Sequence, residues 1–128
     1  MKRLSGGIDV GSESYHITIL DEEDHILYNQ KVSHKINEFT ESIKLFKKIE
    51  KKEKGEISFA LEGKNGYSAP FDQLLINQGF TLYNVDNFKL KRFREAFAGE
   101  WRDDQRDALM LSKMLKLKIA KERRYSLK

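Results

Sequence analysis

The 128-residue sequence contains no cysteine, one proline, one tryptophan and no apolar run long enough to cross a bilayer. Without thiols it can form neither a disulfide scaffold nor a thiolate metal site, and a reducing cytoplasm is the simplest compartment for it. Two basic residues open the chain in "MKRLSGGIDV", but no apolar segment follows them, so this is not the pattern of a secretion signal and no membrane partner is expected. Internal repeats and low-complexity linkers are also missing, and the length suits one domain over 1–128 rather than two. The three histidines, His16, His25 and His34, have no metal-ligand spacing and read as sheet-surface residues. Ser12 and Ser14 lack a His-Asp pattern that would make them nucleophiles, and read as turn residues. What the chain does have is charge: 24 Lys and Arg against 20 Asp and Glu, a net +4 that is compatible with an anionic partner.

Three runs rich in β-formers, "GIDVG", "YHITIL" and "ILYNQKVS", are separated by the short polar connectors "SES" and "DEED", which predicts an antiparallel meander. Ile36, Phe39, Ile43, Phe46 and Ile49 then recur at helical spacing, opposite a face of lysine and glutamate. "ISFALEG" reads as a strand. Ser68 and Pro70 open a short helix that Gly79 stops, and "FTLYNV" is a fifth strand. The remainder is helical in pattern with a break near Gly99. The order β-β-β-α-β-α-β-α predicts an α/β fold with a five-stranded mixed sheet flanked by helices, the order of the RNase H-like fold.

Alternation within the first strand sets Ile8 and Val10 on one face and Gly7, Asp9 and Gly11 on the other, leaving open space above an acid flanked by glycines. In the fourth strand Glu62 shares its face with the small residues Ser58 and Ala60. Asp104, Asp107, Ala108, Leu111 and Leu115 fall on one stripe of the last helix, so both acids extend the face that packs on the sheet. Four carboxylates from two strands and a helix thus have reason to converge, and hard divalent cations such as magnesium or manganese favour such oxygen donors. Each acid also has a plainer reading. Asp9 can end a strand in an Asx turn, Glu62 can be a solvated loop acid, and Asp103, Asp104 and Asp107 can complement a helix dipole. Asp103 points off the stripe and takes that plainer role.

These residues resemble the DEDD-type transposases, a family that includes the Piv-like site-specific DNA invertases. "GIDVGSESYHITILDEEDHIL" resembles the family's first motif, "ALEGKNGYSAPFDQLLINQGF" its second and "RDDQRDALML" its third. The resemblance implies a RuvC-like catalytic domain with catalytic and metal-binding acids Asp9, Glu62, Asp104 and Asp107. At Asp103 the family more often has a small hydroxyl or amide residue. It further implies magnesium- or manganese-dependent DNA strand cleavage and exchange within a homo-oligomer, and some members are guided by a structured RNA. Full-length members add a helical C-terminal region with a catalytic serine, which these 128 residues do not supply.

"NFKLKRFREAF" interleaves Lys89, Lys91, Arg92 and Arg94 with Phe88, Phe93 and Phe97. The phenylalanines read as core, and the cations, together with Arg102 and Arg106, as contacts to nucleic acid. Lys113, Lys116 and the basic residues after them are either a solvated helix face or a second such surface. The rival readings are a RuvC-like structure-specific nuclease of the Holliday-junction type, and an inactive nucleic-acid-binding remnant of the same fold.

Overall fold

The computed structural model describes residues 2–11, 13–62, 69–85, 87–96 and 106–117. Strands β1 (Lys2–Val10), β2 (Ser14–Leu20) and β3 (Ile26–Ser33) form the antiparallel meander. Helix α1 (Ile36–Glu53) leads into β4 (Gly55–Glu62), and α2 (Ala69–Asn77) into β5 (Thr81–Val85). Helices α3 (Asn87–Ala96) and α4 (Arg106–Lys116) follow. The sheet order is β3-β2-β1-β4-β5, with β4 parallel to both β1 and β5. The expected five-stranded mixed sheet is therefore present, and the parallel strands β1, β4 and β5 all end at one edge.

The sheet separates two apolar layers. On one side Ile8, Tyr15, Ile17, Ile19, Phe59 and Leu61 pack with Phe39, Ile43 and Phe46 of α1 and with Phe71 and Leu75 of α2. On the other, Ala60 and Val85 meet Leu90 and Phe93 of α3 and Met110, Leu111 and Met114 of α4. Phe93 thus belongs to the core as expected. Gly99 and Trp101 lie outside the described residues.

The first strand starts well before the "GIDVG" that alternation picks out. Lys2 pairs with Gly55 and Leu4 with Ile57, and Leu4 is buried. Gly55 makes this possible, because a Cβ there would lie 2.9 Å from the Lys2 carbonyl oxygen. The left-handed residue that closes α1 is Lys54, at φ 54°, instead of the glycine beside it. Gly79 does close α2, at φ 92°, with its N–H donating to the Ile76 carbonyl and that of Phe80 to the Leu75 carbonyl.

Two of the three histidines depart from the sheet-surface reading. His34 stacks on Tyr15 with ring centroids 4.2 Å apart, and His16 is 6 % exposed. Burial, with the Asp72 carboxylate adding to it, pushes the Tyr15 phenol up to about 12. His25 is exposed, in the β2–β3 turn.

Candidate active site at the carboxyl edge of the sheet

The candidate site is built on the helix seat at Gly7. A Cβ on Gly7 would lie 2.0 Å from the Ala108 carbonyl oxygen and 2.7 Å from the Ser112 amide nitrogen. The space above this glycine is therefore filled by the backbone of α4. Ser112, fully buried, donates its hydroxyl to the carbonyls of Thr18 (2.8 Å) and Ala108 (3.0 Å). Farther along the helix, Lys113 and Lys116 both reach Asp24 in the β2–β3 turn at 2.5 Å. Burial alone would raise the Asp24 carboxyl, but the hydrogen bonds and charges of the two lysines hold it below the usual carboxylate range. These lysines are engaged within the molecule, which removes them from the basic surface that the sequence left open.

Those contacts fix the direction of α4. Its last turn lies over the β2–β3 turn, near the start of β1, so its first turn lies over the end of β1. Asp107 belongs to that first turn. Asp9 stands two residues beyond Gly7 and shares its face, the face covered by α4. Ile8 pairs with Leu61, so position 62 is at the neighbouring strand end, two residues beyond Ala60 in the strand and paired with Val85. The fold thus brings positions 9, 62 and 107 to one edge and one side of the sheet. Asp103 and Asp104 lie outside the described residues, so the choice between them rests on helical spacing. Among the described residues, no three Asp, Glu or His side chains form a metal site by themselves.

The cations divide. Lys91 and Arg92 are exposed on α3, whose first residue follows directly on the same edge. Lys89 and Arg94 belong to α3 and Arg106 begins α4, while Arg102 lies outside the described residues.

Polar residues that the sequence reading passed over complete this face. In the meander Asp9 pairs with His16, Gly7 with Thr18, and Thr18 with Asn29. Directly paired residues project to the same side, so His16, Thr18 and Asn29 share the side of Asp9. His16 Nε2 lies 2.5 Å from Asn29 Oδ1. Since an amide oxygen only accepts, the ring N–H at Nε2 is the donor. Strand alternation offers the signal that would have found them, because it sets His16 and Thr18 opposite Tyr15, Ile17 and Ile19.

The fold is that of RuvC-like nucleases. RuvC of T. thermophilus, solved with a Holliday-junction substrate, superposes with a TM-score of 0.57 at 12 % identity, covering 86 % of this chain and 90 % of that one. An Argonaute of Marinitoga piezophila, solved with a guide RNA, gives a TM-score of 0.48 at 20 % identity over 66 % of this chain and 16 % of that one. No curated protein sequence matches. The family model for the DEDD transposases of the IS110 type, described as transposase, matches residues 6–127. This chain belongs to that family, and the match makes it a transposase catalytic domain of a DNA-cleaving class. No helix among the described residues is long and apolar enough to cross a membrane.

Proposed function

We propose that the carboxyl edge of β1 and β4, closed by the first turn of α4, is a divalent-metal centre for cleavage and exchange of DNA strands. Asp9, Glu62, Asp104 and Asp107 are its acids. The observation that carries this reading is the shared placement of positions 9, 62 and 107, which are far apart in sequence. Carboxylates brought together at these positions would repel one another unless a cation joined them. Hard oxygen donors suit magnesium or manganese, and the fit is supported by an orphaned polar atom on the residue paired with Asp9: His16 Nδ1 is buried with no hydrogen-bond partner among the described residues. When bound, such ions supply activation of the attacking oxygen and stabilisation of the leaving one in in-line phosphoryl displacement.

The chain's own residues hold and orient the substrate. Lys91 and Arg92, with Lys89, Arg94, Arg102 and Arg106, take the phosphates flanking the scissile one, and so offset repulsion between the acids and the DNA backbone. Exchange, as opposed to cleavage, involves a homo-oligomer and a serine from outside these 128 residues. A structured guide RNA is a further partner to be tested.

The test compares wild type with Asp9→Asn, Glu62→Gln, Asp104→Asn, Asp107→Asn and Asp103→Asn in manganese titrations and in cleavage of linear and four-way DNA. Loss of binding and cutting in the first four, with Asp103→Asn active, supports the proposal. Absence of binding at millimolar manganese overturns it in favour of an inert nucleic-acid-binding remnant. Unaided, symmetric cutting of four-way junctions would move the assignment to a junction nuclease.

A further inference from the structure

We infer that His16 is a further donor of the proposed centre, its Nδ1 binding the metal ion held by Asp9, so that the site carries nitrogen as well as oxygen. The inference rests on the metal reading above. It adds a residue that neither the family resemblance nor the spacing of the acids selects.

Three observations support it. First, Asp9 and His16 are direct cross-strand partners. Such pairs have Cβ atoms about 4.5–5.5 Å apart on one face, so donors about 2 Å from an ion can meet on it from both side chains. Second, the tautomer is fixed. With Nε2–H donating to Asn29 Oδ1, the neutral ring has its lone pair at Nδ1. A histidine whose far N–H is anchored to an oxygen acceptor while the other nitrogen stays bare is the arrangement metal-ligating histidines adopt. Third, that nitrogen is buried and has no partner among the described residues. Leaving such a group unsatisfied destabilises the fold, a cost an apolar residue at this position would avoid. The opposite face of the same strand is occupied by Tyr15, Ile17 and Ile19, so β2 readily accepts apolar side chains.

The other histidines cannot substitute. His34 stacks on Tyr15 on the far side of the sheet, and His25 lies in the turn at the other end of the meander, hydrogen-bonded to Asp21. Asn29 is a positioning residue in this scheme. It touches the ring at Nε2 and acts on the ion only through His16.

The test is pulsed electron paramagnetic resonance on the 128-residue chain loaded with manganese alone. Coupling of the metal to one histidine nitrogen is expected in wild type, retained in His25→Gln and lost in His16→Gln. Manganese affinity should fall by about tenfold or more in His16→Gln, with magnesium affinity changed less than about twofold, because imidazole favours the transition metal. Should His16→Gln fail to fold, protein containing histidine of the heavier nitrogen isotope answers the question without a substitution at His16. A changed coupling pattern that persists in His25→Gln and His34→Gln supports His16. Manganese that binds and is released by Asp9→Asn, yet shows no nitrogen coupling, overturns the role of His16 and leaves the acidic centre standing. No manganese binding in wild type overturns both.

Discussion

Gly7→Ala tests the helix seat on which the candidate site depends. The new methyl would sit 2.0 Å from the Ala108 carbonyl oxygen, where an ordinary contact begins at 3.4 Å, so α4 must retreat by 3.4 − 2.0 = 1.4 Å or the strand must bend. Both obstacles are backbone, and no rotamer change relieves them. Overpacking of this kind costs about 1–3 kcal/mol, and stretching the Ser112 hydroxyl bond to Thr18 adds roughly 1 kcal/mol. Lower entropy of the unfolded alanine chain returns about 0.4–1 kcal/mol. A net loss of roughly 2–3 kcal/mol corresponds to a fall in Tm of about 10 °C for a domain of this size, read by circular dichroism. A displacement beyond 1 Å at the first turn of α4 should also slow DNA cleavage by about 10²-fold. Gly6→Ala provides the contrast, since its methyl would meet the Phe59 ring at 2.4 Å. That clash is with a side chain, so Phe59→Val should recover part of the loss at Gly6 and none at Gly7. A Gly7→Ala protein melting within about 2 °C of wild type would refute the close-approach argument.

Lys54→Gly should stabilise the protein by about 0.5–1 kcal/mol in urea titration, because Lys54 holds φ 54° at the end of α1, where glycine avoids the steric cost. Asp24 is pulled below its ordinary range by Lys113 and Lys116, so its contribution is present above the unfolded pKa near 4 and is lost as pH falls through the folded value. Asp24→Asn should therefore flatten the acid limb of a stability-versus-pH curve, by less than about 1 kcal/mol because the pair is partly solvated, and the difference should shrink in salt. Lys91→Ala and Arg92→Ala should each lower the slope of log binding constant against log salt for duplex DNA by roughly 0.9, measured by fluorescence anisotropy.

The sheet was legible because polar connectors and β-rich runs alternate cleanly, and the parallel crossovers follow from one helix between successive strands. The start of β1 was not, since Lys2 and Arg3 carry no apolar alternation and enter the sheet through the bare backbone at Gly55. Alternation correctly put Asp9 and Gly7 on one face but could not say what covers that face. The bare backbone of Gly7 is the seat of a helix. The burial of His16 was not legible because residue-type defaults ignore register: only the pairing shows which histidine lies beside Asp9. The lysines of α4 look like a solvated face in one dimension, and the hairpin turn that captures two of them is some ninety residues away in sequence.

The docking of α4 also has a temporal consequence. Asp9 and Glu62 are made early on the ribosome, in a meander and crossover that can pair before α4 exists, whereas Asp107 arrives with the last described helix. A centre that needs all of them has no cutting power in a nascent or half-folded chain. The glycine seat then works as an assembly check for the proposed centre, since position 107 comes to the strand ends only after α4 has closed onto β1 and its lysines have clasped the distant hairpin.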